Sequence, residues 1–185
     1  MLLNVQNARK DLKSKTTSPS LDYLILIQAR LGSTRLPNKV MQLVGGKTML
    51  RRVWDAAQFK WFVSSIKVVV AWPERYPDLD ENNVLERFRR ISNEFPSKWV
   101  IRLTSDCPLL TTNDIKQALL SSVDMEYYSN HTDGHDVQIF TREYLFSNIH
   151  TSKEHVIADF KTLPLGLSVN TQEDLDRVRD ICRGK

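Results

Sequence analysis

Short apolar runs alternate with helical patterns along this chain, and this alternation constrains its fold more than any other feature. Residues 23–27, 66–71 and 99–104 are rich in aliphatic and β-branched side chains, which is typical of strands buried on both faces of a parallel sheet. Residues 49–57 and 83–91 instead repeat apolar side chains at helical spacing. Strands that alternate with helices predict an α/β layer fold.

The alternation continues into the second half of the chain. Thr112 or Asn113 can cap a further helix, and residues 136–140 alternate like a half-exposed strand. Residues 166–170 predict a short late strand, after which Thr171 can cap the last helix. The expected end of the chain is therefore a strand that leads into a helix.

Residues 1–20 differ from the rest because they are polar and lack any periodicity. They predict a flexible N-terminal tail, and residues 21–185 then form one domain. The full length of 185 residues is usual for a single domain and allows a sizeable core without disulfides.

Composition limits the partners and the compartment. The only cysteines, Cys107 and Cys182, form no disulfide framework, which favours a reducing, cytoplasmic setting. No apolar run approaches the roughly 18 residues that span a bilayer, so no membrane segment is expected. The net charge of +4 is concentrated in residues 1–20, with four basic and one acidic side chain. The nearly balanced remainder argues against a nucleic-acid partner.

The loop after the first strand carries the clearest local signal of function. Gly32 and Ser33 allow a tight turn, and Arg30, Arg35 and Lys39 bring three cations to the same loop. Ligands of open α/β sheets bind beyond the carboxyl ends of the strands, and a triphosphate needs such a positive cradle. A basic surface loop of a structural domain remains the alternative from these residues alone.

Two better-known phosphate motifs are excluded. Gly46-Lys47-Thr48 has the end of a P-loop, but Met41 stands where that motif needs its first glycine. No G-x-G-x-x-G follows any predicted strand, so a Rossmann dinucleotide site is not expected.

Six segments in a fixed order resemble one family. The first is Ile27-Gln28-Ala29-Arg30-Leu31-Gly32-Ser33-Thr34-Arg35-Leu36-Pro37-Asn38-Lys39, and the others lie at residues 83–88, 102–109, 133–140, 154–156 and 169–175. Together they closely resemble the cytidylyltransferase-like family. That family includes spore coat polysaccharide biosynthesis protein F and the synthetases that activate keto-deoxy-octonate and sialic acid with CTP. The resemblance covers roughly residues 22–182.

The resemblance implies a three-layer fold like that of the nucleotide-diphospho-sugar transferases, which is Rossmann-like. Its sheet is mixed and mostly parallel, with helices on both sides. Residues 71–83 and 140–169 are shorter than is usual in the family, so a version of reduced size is expected.

The resemblance also implies the roles of individual residues. Catalysis falls to Arg30, Lys39 and Asp106, and Mg²⁺ to Asp106 and Asn170. CTP or another NTP would be bound by Gln28, Ala29, Arg30, Gly32, Ser33, Arg35, Lys39 and Thr104. The acceptor would lie near Asp133, Asp136, Glu154 and His155.

The implied reaction joins CTP and a sugar acid or sugar phosphate into a CMP-sugar, with release of pyrophosphate, for surface polysaccharide synthesis. Asn170 departs from the family's acidic metal ligand, and Ser105 replaces a common glycine. A nucleotide-binding or scaffold module without turnover is therefore a second interpretation. A glycosyltransferase that uses a preformed nucleotide sugar is a third, and a homodimer also stays open.

Histidine and cysteine residues suggest other chemistry less strongly. His131, Asp133, His135 and Asp136 could hold zinc, but a loop that enters a strand is the preferred interpretation. Cys107 has no base placed by motif to activate it, so a packing role is expected.

Overall fold

The computed structural model of the chain describes residues 21–58, 65–130, 132–147 and 167–184. Within these ranges the strands are β1 (Leu21–Gln28), β2 (Leu43–Val44), β3 (Lys47–Thr48), β4 (Ile66–Ala71), β5 (Ser97–Thr104), β6 (Tyr127–Ser129) and β7 (Val137–Thr141). The α-helices are α1 (Met49–Ala57), α2 (Val84–Glu94), α3 (Thr112–Ser121), α4 (Arg142–Phe146) and α5 (Gln172–Arg183). The tail predicted over residues 1–20 lies outside the described residues.

Five strands form one sheet in the order β4-β1-β5-β7-β6, and β2 pairs with β3 in a separate hairpin. Strand β1 is parallel to β4 and β5, whereas β7 is antiparallel to both β5 and β6. Within this five-stranded sheet β7 therefore runs against the other strands. The predicted mixed, mostly parallel sheet is confirmed.

The side chains of β1 alternate between two helical layers. Ile25 and Ile27 pack in one cluster with residues of α1 and α3, and Leu24 and Leu26 pack in another with residues of α2 and α4. All four side chains are fully buried, and each such burial contributes about 1.5–3 kcal/mol. The helix–sheet–helix layering expected from the sequence is confirmed.

Helix α5 ties the end of the described chain to the loop after β1. A third apolar cluster joins the loop, the hairpin, the start of α1 and the face of α5, through Leu36, Val44, Met49, Val169, Leu175 and Val178. The N-terminus of α5 is fixed by a capping box between Thr171 and Asp174. This packing places Asn170 near the ends of β1 and β5.

Two local predictions are wrong. Residues 167–170 form no strand, because Val169 N–H donates a single bond of 2.8 Å to the Asp106 carbonyl, beyond the end of β5, and no ladder follows. The cap of α3 is Thr111 rather than Thr112 or Asn113, since its hydroxyl accepts from Asp114 N–H. None of the helices in the described ranges is long and apolar enough to cross a membrane.

Candidate functional site

A cleft of about 290 Å³ opens where β1 and β5 end, beside the N-terminus of α2. Gly32 is absent from its walls, but the other residues predicted for nucleotide, catalysis and metal line it together: Gln28, Ala29, Arg30, Ser33, Arg35, Lys39, Thr104, Asp106 and Asn170. Among the described residues, five cationic and two acidic side chains line the cleft, which favours an anionic ligand.

Lys39 links the loop after β1 to the turn after β5 and to the segment before α5. Its ammonium nitrogen is 3.1 Å from Asp106 Oδ2, 3.1 Å from the Val169 carbonyl oxygen and 3.2 Å from Asn170 Oδ1. Only 11% of the Lys39 side chain is exposed, so these bonds form in a partly desolvated place. Three protein oxygens thus converge on one positive charge.

The backbone fixes both ends of this arrangement. Ser105 N–H donates to the Gln28 carbonyl at 3.0 Å, which fastens the turn after β5 to the end of β1. Asn170 N–H donates to Asp174 Oδ2 at 3.0 Å, so the first turn of α5 holds the other end. Asp106 and Asn170 are therefore positioned by different elements that the sheet edge brings together.

The three oxygens around Lys39 Nζ are of the kinds that bind a hard cation. A carboxylate, an amide carbonyl and a backbone carbonyl are the oxygen ligands that Mg²⁺ accepts, and the ammonium occupies the point where they meet. A metal held by Asp106 and Asn170 would therefore compete with Lys39 for the same oxygens. In the part of the chain that the structure describes, His, Cys, Asp and Glu form no group of three or more around a metal position.

Arg30 and Arg35 extend from the same loop towards different walls. Arg30 Nη1 donates to Asn82 Oδ1 at 3.1 Å and lies 3.8 Å from Glu81 Oε1. Arg35 Nη2 donates to Asn170 Oδ1 at 3.4 Å. Both guanidinium groups form exposed contacts, so they can turn towards phosphate oxygens.

Gly32 is needed for the space beside Glu81 and not, as the sequence predicts, for the conformation of a tight turn. Its backbone has no positive φ, and a Cβ at this position would lie 3.0 Å from Glu81 Oε1. The turn itself is closed by Ser33 N–H, which donates to the Leu31 carbonyl at 2.8 Å. Gly32 therefore gives the Glu81 carboxylate room beside the loop.

Two buried arginines that the sequence interpretation missed also line the cleft. Arg87 of α2 is 2% exposed, donates from Nη1 to the Glu81 carbonyl at 3.1 Å, and leaves its buried Nε without a partner among the described residues. Arg102 of β5 is 8% exposed. Burial lowers the pKa of both guanidinium groups. An arginine inside an otherwise apolar strand was the available signal for Arg102.

Asp133 and Asp136, the two predicted acceptor residues that the structure describes, do not line the cleft. Asp133 accepts backbone N–H bonds from Leu167 and Ser168, each at 3.2 Å. The half-buried Asp136 has Oδ2 3.4 Å from Cys107 Sγ, and burial raises its pKa. An acceptor role for Asp133 and Asp136 stays a prediction, and Glu154 and His155 lie outside the described residues.

The residues considered for zinc and nucleophilic chemistry have other partners. His135 Nδ1 is 2.9 Å from Asp114 Oδ2 at the start of α3, while His131 lies outside the described residues. Cys107 is fully buried in the core cluster on the α1 and α3 side, which confirms the packing role. Burial raises its thiol pKa, and the charges of Asp106 and Asp136 raise it further.

Comparison with known families and curated proteins gives partial matches. Residues 24–72 match the family model described as cytidylyltransferase. The 3-deoxy-manno-octulosonate cytidylyltransferase of Polynucleobacter necessarius is 40% identical over 67 residues, which is 36% of this chain and 26% of that protein. The spore coat polysaccharide biosynthesis protein SpsF of Bacillus subtilis is 30% identical over 107 residues, 48% of this chain and 45% of that protein. These matches span from about a quarter to about half the length of the relatives.

Solved structures share the fold over most of the chain. A cytidylyltransferase from Leptospira borgpetersenii superposes with a TM-score of 0.69 at 20% identity, covering 89% of this chain and 88% of that one. A CMP:2-keto-3-deoxy-manno-octonic acid synthetase complexed with CTP gives 0.62 at 18% identity, covering 88% and 99%. At such low identity the likeness concerns the fold alone.

Proposed function

Because this chain is a relative of the cytidylyltransferases, with the family match carried by residues 24–72, we propose that it transfers a cytidylyl group from CTP to a sugar acid. The observation that carries the proposal is the position of Lys39, bonded to Asp106 and Asn170 in a cleft walled by the loop after β1. A charged pair of this kind at the carboxyl ends of parallel strands suits a phosphate-transfer site.

The cations of the loop would bind and orient the triphosphate. Arg30, Arg35 and Lys39 line the same cleft and can neutralise the charge that develops on the leaving pyrophosphate. In the proposed step an acceptor hydroxyl oxygen bonds to the α-phosphorus as the bond to the β-phosphate bridging oxygen breaks. Pyrophosphate leaves and the hydroxyl proton passes to solvent.

Asp106 and Asn170 are the residues that would hold Mg²⁺. When bound, the metal supplies further positive charge beside the phosphates. The pair carries only one negative charge, because Asn170 contributes a neutral amide oxygen. We therefore expect this site to bind Mg²⁺ more weakly than a pair of carboxylates would.

The acceptor is proposed from the names of the relatives and the charge of the cleft. Several relatives are named for a cytidylyltransferase of 3-deoxy-manno-octulosonate, an acidic sugar, and one for polysaccharide biosynthesis. The excess of cationic side chains suits an acidic acceptor together with a nucleotide. A sugar acid that enters a surface polysaccharide is the proposed class.

A nucleotide-binding module without turnover is the second candidate. The charge balance favours it, since Lys39 already neutralises Asp106 and Asn170 adds no charge for a metal. Such a module would bind CTP in the same cleft but release no pyrophosphate.

A pyrophosphate-release assay separates the two candidates. The four NTPs are tested with Mg²⁺ and a panel of sugar acids and sugar phosphates, with the wild-type chain and with Asp106→Ala. We expect release with CTP and an acid, and a loss of at least about 100-fold in Asp106→Ala with an unchanged melting temperature. Release that survives in Asp106→Ala would refute its role, and CTP binding without release from any pair would favour the binding module.

A further inference from the structure

Arg102 is a buried cation in the middle of the sheet. It lies on β5, pairs in register with Leu26 of β1 and Gln138 of β7, and is 8% exposed. Arg102 is nevertheless among the residues that line the cleft. A buried charge is costly unless it is paired, so the groups around it decide its role.

Two glutamines hold the guanidinium and leave its charge intact. Arg102 Nε and Nη2 donate to Gln28 Oε1 at 2.9 and 2.7 Å, and Nη1 donates to Gln138 Oε1 at 2.7 Å. A guanidinium has five N–H donors, so two have no partner within the described residues. No carboxylate in the described ranges forms an ion pair with Arg102, although Asp106 and Asp136 act on it from further away.

This partner set orients the group without neutralising it. A carboxylate in place of either glutamine would cancel the charge, whereas an amide oxygen fixes the plane of the guanidinium and keeps it cationic. The two remaining donors together with an uncancelled charge match a ligand that presents two anionic oxygens.

Arg102 lies between the phosphate loop and the β7 side of the sheet, because Gln28, to which it donates, ends β1 just before that loop. Gln138 belongs to β7, on the far side of β5 from β1, and the acidic groups that act on Arg102 are Asp106 and Asp136. Arg30 instead contacts Asn82 at the α2 side of the cleft. With the triphosphate against the loop cations, the side of Arg102 that faces Gln138 is the one left for an acceptor.

We propose that Arg102, held by Gln28 and Gln138, binds the anionic group of the acceptor and so selects acidic sugars. The ligand chemistry is a pair of anionic oxygens, supplied either by the carboxylate of a sugar acid or by a sugar phosphate. This inference rests on the proposed transferase, but it concerns binding and can be measured without turnover.

The test measures acceptor binding with CMP present, so that no reaction occurs. Calorimetry titrates 3-deoxy-manno-octulosonate in one arm and glucose 1-phosphate in the other into wild type, Arg102→Met and Gln138→Glu. Gln138→Glu keeps the shape of the site and places a carboxylate on the guanidinium. Arg51→Met is the matched control, since Arg51 pairs with Asp55 on the surface. Melting temperatures report whether each variant folds.

We expect the affinity for one of the two acceptors to fall about 10- to 100-fold in Arg102→Met and Gln138→Glu, as for a lost charge-assisted bond. Affinity for CMP should fall by a smaller factor than acceptor affinity in Arg102→Met, which also releases Gln28, and should change less than about threefold in Gln138→Glu. Arg51→Met should match the wild type. If neither acceptor binds the wild type, or if both variants lose CMP and acceptor equally, the assignment is overturned.

The outcome is separable from that of the proposed function. Acceptor affinity that depends on Arg102 in a chain that releases no pyrophosphate would keep the anion site and refute the transferase. Pyrophosphate release with acceptor affinity unchanged in both variants would keep the transferase and refute the anion site.

Discussion

Lys39 and Asp106 form a direct ion pair across the cleft, with Nζ 3.1 Å from Oδ2. The same ammonium also bonds Asn170 Oδ1 at 3.2 Å, so the predicted phosphate-binding cation and both predicted metal ligands share one contact point. The Lys39 ammonium therefore offsets the negative charge of Asp106. If the phosphates of a nucleotide bound the Lys39 ammonium, the oxygens of Asp106 and Asn170 would lose their bonds to it and become available to a metal.

Asn170 offers a direct test of how charge controls this point. In Asn170→Asp the side chain keeps its size and adds a negative charge, so we expect the Mg²⁺ concentration that gives half-maximal pyrophosphate release to fall about tenfold. Asn170→Ala should raise that concentration instead, since it removes the oxygen. A metal titration of release measures both variants, and an identical requirement in all three chains would exclude Asn170 from metal binding.

Gly134 supports the segment that carries Asn170. Its φ is +80°, and an added Cβ would lie 2.3 Å from Leu167 Cβ, so Gly134→Ala must strain the backbone and displace residues 167–168. We expect the free energy of unfolding to fall by roughly 3 kcal/mol or more, because overpacking adds to the cost of the left-handed conformation. Chemical denaturation measures it.

Gly46 is the matched control for that substitution. Its φ is +79°, but a Cβ there would meet nothing within 4 Å. Gly46→Ala should therefore cost only about 1–2 kcal/mol, the backbone part alone. Equal losses in the two variants would show that the contact with Leu167 has no energetic weight.

The two cysteines should differ sharply in reactivity. Cys107 is fully buried and its thiol pKa is raised, so at pH 8 it remains a neutral thiol out of reach of reagents. Cys182 on α5 is partly exposed and should react with Ellman's reagent in the native chain. We expect one fast thiol per chain, a second only on unfolding, and no fast thiol in Cys182→Ser. Two fast thiols would contradict the burial of Cys107.

The sequence predicts the sheet well because its strands are rich in apolar side chains. Residues 23–27 form a continuous apolar run that is almost fully buried, whereas residues 66–71 form the edge strand β4 and keep Lys67 exposed. The late strand over residues 166–170 fails for a related reason. Its short apolar pattern marks burial of Val169, and that burial comes from packing on α5 rather than from a strand ladder.

The site divides in a similar way. The shared cleft of Lys39 and Asp106 was predictable because each follows a strand that ends at the ligand-binding edge of the sheet, whereas their roles were implied by the family resemblance and stay predictions. Arg87 and Arg102 were missed because their importance depends on which face of a helix or strand meets the cleft. Tertiary packing decides which face meets the cleft. The sequence signal was a charged residue within a mostly apolar strand.

Calorimetry of CTP and CMP binding with Mg²⁺ shows whether Lys39 belongs to a triphosphate site. The variants are Lys39→Ala and Lys47→Ala, the latter removing a lysine that pairs with Asp55 outside the nucleotide cleft. We predict that Lys39→Ala weakens CTP binding about 10- to 100-fold and CMP binding much less, while Lys47→Ala changes neither. Equal losses for CTP and CMP in Lys39→Ala, or unchanged CTP affinity, would contradict the account.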